Sequence, residues 1–473
     1  MDQEPLITRA AGGPAGAPGE LLASAPPGCT GGGGVLDLAA LIDARPLGRF
    51  QVWVLVLIGC SVIMDGFDLQ AMGFVAPALV RAWGIELPAL GPIFGAGLFG
   101  MLLGSLIMSV LADRIGRRPV LIVATLIFGV FMLGTALTRS VPEMMALRLL
   151  TGFGIGGVMG NAVTLATEYS PQRRRASLLM AISCGFTGGA ILGGVVSAVL
   201  IPWSGWQSVF VAGGLLPLAI ALLMYRYLPE SLPFLAARPQ HRARLEHWLR
   251  RLAPELRLPA ETQQAGAERR GGNIPVAELF RDGRAALSLL LWGLSFANLL
   301  NLFFLSNWLP TLVTSIGYSP SAAVFVGTTL QLGGILGALI MGPLIDRLGF
   351  YRVLVPAFLA AAAAIAFLGR PELPPPLLFA AVLVTGLFIV GAQPAINVLA
   401  AALYPTALRA TGVGWTLGIG RVGSIVGPVV AAQLLALHWS LEGLFGAAAL
   451  PAALSSVLLL SLRRVTAGTD RST

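Results

Sequence analysis

The sequence predicts an all-α membrane protein of twelve transmembrane helices in two six-helix halves. Three observations carry that prediction. Of 473 residues, 56% are hydrophobic and only 11% are charged, whereas a soluble domain carries about 25% charged residues. Twelve apolar segments each reach the roughly 20 residues that a helix needs to cross a hydrocarbon core of about 30 Å. One long polar stretch, residues 229–284, parts the sixth segment from the seventh and divides the chain.

The segments lie near residues 50–80, 89–112, 119–138, 142–168, 176–201, 206–228, 285–310, 320–343, 352–370, 376–403, 410–436 and 441–462. Residues 1–48 are rich in Gly, Pro and Ala, with acids near Met1 and no basic start followed by an apolar core. They are expected to form a disordered cytoplasmic tail, not a cleaved signal peptide. A first bundle is expected over 49–228, a cytoplasmic central loop over 229–284, a second bundle over 285–462 and a short cytoplasmic tail over 463–473.

Orientation follows from arginine placement. Arg114, Arg117 and Arg118 lie between the second and third segments, and Arg173, Arg174 and Arg175 between the fourth and fifth. Arg347 and Arg352 follow the eighth, Arg409 the tenth, and Arg463 and Arg464 the last. The alternate loops hold only scattered charge, so both termini and the central loop are expected on the cytoplasmic side. The same rule accounts for the net charge of +9. No nucleic-acid motif accompanies the basic runs, and no nucleic-acid partner is expected. The three cysteines have no metal or redox spacing.

The halves echo each other. Asp113-Arg114-Ile115-Gly116-Arg117-Arg118 follows the second segment, and Asp346-Arg347-Leu348-Gly349 follows the eighth, which is the second of its own half. The same Asp-Arg-x-Gly order at the same place in each half marks an internal repeat.

Ionisable residues inside the membrane are the candidates for function. The first segment reads Asp65-Gly66-Phe67-Asp68. A carboxylate at that depth costs roughly 2.5–3.5 kcal/mol on insertion scales, so it must face protein or water. A spacing of three puts both carboxyls on one helix face. At 1.5 Å per residue, Asp68 lies roughly 9 Å outward of the midplane, and Arg148 on the oppositely directed fourth segment lies at about the same depth. The two can pair across the bundle. The expectation is that Asp65 or Asp68 binds a proton and that Arg148 modulates it; the alternative is a static buried ion pair. Arg421 lies near the centre of the eleventh segment with no obvious acid to pair with in its own half. A cation there needs a partner, backbone carbonyls or water. Asn298, Asn301, Gln331, Gln393 and Asn397 are amides at membrane depth. They serve either to read a ligand or to join helices.

The repeated loops on a twelve-helix plan resemble the major facilitator superfamily. More narrowly, the chain resembles the aromatic acid:H+ symporter family. The matching strings are Asp65-Gly66-Phe67-Asp68 continuing to Gly73-Phe74-Val75-Ala76-Pro77-Ala78-Leu79, Arg148 to Gly157, Glu168-Tyr169-Ser170-Pro171, Trp308-Leu309-Pro310, Gly391-Ala392-Gln393, Tyr404-Pro405-Thr406, Arg409 to Trp415, and Gly420-Arg421. Three positions depart from the pattern: Ser109 replaces the usual Gly at the start of the first loop, Ala190 replaces the antiporter Pro, and Phe350 replaces an arginine of the second loop.

The resemblance implies a major facilitator fold and proton-coupled import of small aromatic carboxylates, such as hydroxybenzoate-like or benzoate-like acids, across the cytoplasmic inner membrane by alternating access. Asp65, Asp68 and Arg148 would couple to the proton. Arg421 would clamp the substrate carboxylate in a bidentate fork. Gln393, Asn397, Asn298 and Gln331 would complete the binding site. Asp113, Arg114, Arg117, Arg118, Asp346, Arg347 and Glu168 would gate the loops, with Glu168 acting beside Arg173, Arg174 and Arg175. A monomer in the lipid bilayer is expected, with no cofactor and no metal. The alternatives are a porter for a non-aromatic acid or lactone and a metabolite efflux antiporter. A membrane enzyme is disfavoured, because no nucleophile–base set appears and the loops are too short for a catalytic domain.

Overall fold

A computed structural model describes residues 29–30, 35–36, 38–43, 46–252, 263–264, 276–370, 373–405 and 408–469. Twelve of its helices are long and apolar enough to cross a membrane. They are α1 (Arg49–Trp83), α2 (Leu90–Ile115), α3 (Arg117–Thr135), α4 (Val141–Tyr169), α5 (Gln172–Ser204), α6 (Gln207–Tyr227), α7 (Ala285–Ser315), α8 (Pro320–Leu348), α9 (Phe350–Leu368), α10 in two segments (Pro375–Ile389 and Ala392–Leu403), α11 (Arg409–Ala436) and α12 (Leu441–Thr469). Many run past the apolar segments that announce them. With 35 residues, α1 is about 50 Å long, well beyond the hydrocarbon core.

Within the first half, α2 packs on α4, α1 on α5, and α3 on α4 and α6; within the second, α7 packs on α11 and α12, α9 on α12, and α8 on α10. The halves meet through α1 with α7, α2 with α11, and α5 with α8. The named contacts of this seam lie towards the end away from the arginine loops. There Gly73 lies against Ser306 and Asn307, Gly95 against Val429, and Gly194 against Thr328. Phe94 of α2 meets Trp308 of α7 edge-on, with ring centroids 5.4 Å apart. One hydrophobic cluster joins both halves at this end and continues along the second half to its arginine loops. A second lies at the arginine end and is drawn from the first half and the segments beside it.

Proline explains one feature of this seam and one of the second half. Pro310 in α7 has no N–H, so the carbonyl of Ser306 loses its helical donor. Gln70 of α1 supplies one across the halves, Nε2 to O at 2.8 Å. In α10 the break at Val390–Gly391 precedes Pro394, which sits in the first turn of the second segment, where a missing N–H costs least.

One expectation about the N-terminal tail is corrected. The N-terminal tail is not without structure up to residue 48: Leu38–Asp43 is a helix, and Leu38, Leu41 and Ile42 are buried in the arginine-end cluster. Three apolar residues in five place one stripe against the bundle, enough to dock a short helix. The central stretch contains the short helices Leu232–Ala236 and Arg242–Leu252, the second amphipathic. Leu245 and Leu249 bury there, and Trp248 stacks on Phe50 of α1.

Candidate functional site

The site begins with how α1 is held. A side chain at Gly66 would fall on the carbonyl of Phe186 in α5, so the two backbones touch there. Only glycine permits that approach. Asp65 and Asp68, on either side of Gly66, are both buried, at 3% and 0% exposure.

Arg148 reaches Asp68 because α4 lies tight against α2. A side chain at Gly152 would fall on the carbonyl of Gly97. Arg148 Nη1 then donates to Asp68 Oδ1 at 2.6 Å, and Nη2 to Oδ2 at 3.0 Å. This is the planar fork in which guanidinium and carboxylate match best. The guanidinium also lies 6.0 Å from the centre of the Phe210 ring. The depth argument anticipated a pair between α1 and α4; the geometry gives Arg148 to Asp68, not to Asp65. The pair is sealed, with Arg148 5% exposed. Removing one partner of such a pair leaves a bare buried charge, at a cost of about 3–5 kcal/mol.

Asp65 lies within electrostatic range of a different cation, with which it forms no ion pair among the described residues. The charges that act on it are Arg421, from the other half, and Asp68; Asp65 in turn acts on Arg421. Asp65 Oδ1 and Arg421 Nη1 are both buried without a hydrogen-bond partner among the described residues. Arg421 is fixed in height by close packing of α11 on α7, where Gly420 lies against Ser295 and Leu299 and Gly423 against the backbone of Phe296. The acid that acts on Arg421 therefore comes from the other half, without a direct bond between them among the described residues.

The amides divide. Asn298 of α7 donates to Gln393 Oε1 at 2.7 Å and to the carbonyl of Ile389 at 3.3 Å, and Gln393 donates to Asn397 Oδ1 at 3.2 Å. These three form one chain in the second half, and Gln393 and Asn397 are half-exposed. Asn301 instead bridges to α12, donating to the carbonyl of Ala448 at 2.8 Å and accepting from the Ala452 N–H at 3.1 Å. Gln331 of α8 donates to Gln70 Oε1 at 3.0 Å and to Ser306 Oγ at 3.3 Å. It is thus engaged in the seam, not in the amide chain. Sequence reasoning missed Gln70 and Ser306. Gln70 carried a signal, an amide two residues past Asp68 inside the same apolar run.

At the arginine end, Glu168 pairs with Arg117, not with the arginines that follow it in sequence. Both are on elements of the first half, and the α3 start presents Arg117 directly to the end of α4. Arg118 donates to the carbonyls of Leu228 and Tyr225 at 2.7 and 2.6 Å. Glu230, also missed, accepts from the N–H groups of Arg117 and Arg118 at 2.8 and 3.0 Å and so caps α3. The signal was a lone acid just past the sixth segment. Arg114 is exposed, and its carbonyl accepts from Arg238 at 2.7 Å. Asp113 is exposed near the end of α2. Asp346 and Arg347 are exposed and form no ion pair among the described residues.

The family model described as Major Facilitator Superfamily matches residues 58–327 and 291–473. The chain is 41% identical over 427 residues to the 4-hydroxybenzoate transporter PcaK of Pseudomonas aeruginosa, covering 90% of this chain and 95% of that protein. It is 39% identical over 427 residues to a gallate transporter of Pseudomonas putida, again covering 90% and 95%. A 3-(3-hydroxy-phenyl)propionate transporter of Escherichia coli is 34% identical over 408 residues, covering 85% and 92%. Among solved structures, the inward open conformation of the xylose transporter XylE from E. coli superposes with a TM-score of 0.68 at 16% identity, covering 87% of this chain and 96% of that one. A match over most of the chain, close relatives that are transporters and not enzymes, and twelve membrane-length helices in this arrangement agree: the chain belongs to the major facilitator superfamily.

Proposed function

We propose that the protein is a proton-coupled symporter that imports small aromatic carboxylates across the cytoplasmic membrane by alternating access. The observation that carries this reading is that Asp65 of one half and Arg421 of the other, close enough to act on each other electrostatically, each keep a buried polar atom without a partner among the described residues. A guanidinium in a low-dielectric seam attracts a carboxylate. Asp65 serves while the site is unloaded, and a substrate carboxylate takes its place. The names of the relatives, which carry 4-hydroxybenzoate, gallate and a hydroxyphenylpropionate, support an aromatic acid as that substrate. Gln393 and Asn397 offer amide groups beside it for ring hydroxyls.

Asp68 is the proton site and Arg148 its competitor. A proton on Asp68 removes the negative charge that holds the fork; release of the proton restores it. The fork is closed in this structure, which fits the state after proton release. With the arginine loops on the cytoplasmic side, the sealed seam is the outer one, and the two bundles, 49–228 and 285–462, rock about it. Arg117, Glu168 and Glu230 brace the first bundle at the inner surface. The test is uptake of labelled aromatic acids into vesicles with and without an imposed pH gradient, inside alkaline. Accumulation of hydroxybenzoates that collapses with the gradient is expected. Gradient-independent equilibration would remove proton coupling, and accumulation of a non-aromatic acid alone would remove the substrate class.

A further inference from the structure

A small cavity of about 20 Å³ lies against the Asp68–Arg148 pair. It is lined by Asp68 of α1, Arg148 and Gly152 of α4, Gly97 and Phe94 of α2, and Asn307 of α7. Its other walls are apolar. A cavity of roughly 10–15 Å³ holds a water molecule, provided the water finds 2–4 polar partners. Three are present here. A carboxylate has about four lone-pair sites, and Arg148 occupies one on each oxygen of Asp68. Asn307 commits its NH₂ to the carbonyl of Phe303 at 2.8 Å, and nothing among the described residues donates to its Oδ1. Asp68 and Arg148 are the charged groups at the cavity; α2 and α7 bring none. Asn307 is the only lining residue from the second half.

We propose that this chamber binds one water between Asp68 and Asn307, and that Asp68 exchanges its proton through that water. The water would donate one O–H to the carboxylate and the other to Asn307 Oδ1, and accept from Arg148. On release, the O–H bond of Asp68 breaks, its electron pair stays on the carboxylate, and the proton joins the water oxygen. That water passes one of its own protons to solvent water that enters when the seam parts. Asn307 is a positioning residue: it lets the second half govern a proton site built wholly in the first. It adjoins Ser306, whose carbonyl is held by Gln70, so parting of that contact moves Asn307 as well.

The inference rests on Asp68 being the proton site, and the experiment separates the two. Purified protein in liposomes is assayed for proton-driven accumulation and for substrate counterflow, and the ratio of the two is read. Asn307→Leu removes the acceptor. Gly97→Ala fills the chamber without collision, since its methyl would meet Arg148 atoms at 3.7 Å and nothing nearer. Both should lower the ratio by roughly tenfold or more, the loss expected of a hydrogen bond to a charged group. Asn307→Ser, which keeps an oxygen, should recover most of it. If Asp68→Asn loses accumulation while Gly97→Ala keeps the wild-type ratio, the water port is overturned and the proton site stands. If Asp68→Asn accumulates like wild type, the proton site itself is wrong. Should Asn307→Leu fail to insert, Gly97→Ala decides.

Discussion

Two charged pairs, similar in chemistry, differ in what they are built to do. Asp68 and Arg148 match both oxygens to both nitrogens inside one half. Asp65 and Arg421 come from different halves, act on each other electrostatically, and each leave a buried atom unmatched among the described residues. The first should behave as a coupled unit. Arg148→Leu alone should destabilise the protein by about 3–5 kcal/mol, and Asp68→Leu added to it should recover much of the loss, because the double change leaves no bare charge. Thermal unfolding in detergent measures both; equal and additive losses would show that the pair is not coupled. The second should behave as a binding fork. Arg421→Lys should raise the substrate KM by about tenfold, equivalent to roughly 1.4 kcal/mol, because an ammonium cannot present two parallel donors. An unchanged KM at normal expression would end the clamp assignment.

Helices α2 and α4 are held together by what they lack. At Gly152 any side chain would meet the carbonyl of Gly97, while at Gly446 of α12 there is open space. Gly152→Val should force the helices apart and cost about 2 kcal/mol or more. Gly446→Ala should be neutral or slightly stabilising, since alanine restricts the unfolded chain. The difference in thermal midpoint between these variants checks the assignment. Gly152, Gly154, Gly156 and Gly157 stand in the fourth segment as small residues that let helices approach closely. The helix they meet was not legible in sequence, because small residues advertise proximity without naming the neighbour. The helix at Leu38–Asp43 was hidden for the opposite reason: its surroundings are so rich in Gly and Pro that composition outweighed three well-spaced apolar residues.

At the scale of the molecule, the seam closes at one end. Gly95 of α2 and Val429 of α11 are in direct contact there. If transport requires the seam to part, then Gly95→Cys with Val429→Cys, in a chain whose Cys29, Cys60 and Cys184 are replaced by Ser, should lose transport when the new thiols are cross-linked. Reduction should restore it. Full transport by the cross-linked protein would mean that α2 and α11 never separate. The geometry at Gln70, Ser306 and Gln331 implies that the same event breaks the two buried hydrogen bonds that Gln70 makes across the halves.

The sequence by itself determined how many times the chain crosses the membrane, where it divides, and which charges lie at depth. Those properties are sums over local segments: hydropathy sets a span, and position along a helix sets a height. Tertiary structure alone decided which height-matched groups meet. Arg148 lies 80 residues from Asp68, and Gln331 lies 261 from Gln70. Whether such residues touch depends on helix rotation and on which helices are neighbours, which hydropathy does not encode. That is why Arg421 read as a cation awaiting a ligand, and only the assembled halves brought Asp65 within electrostatic range of it.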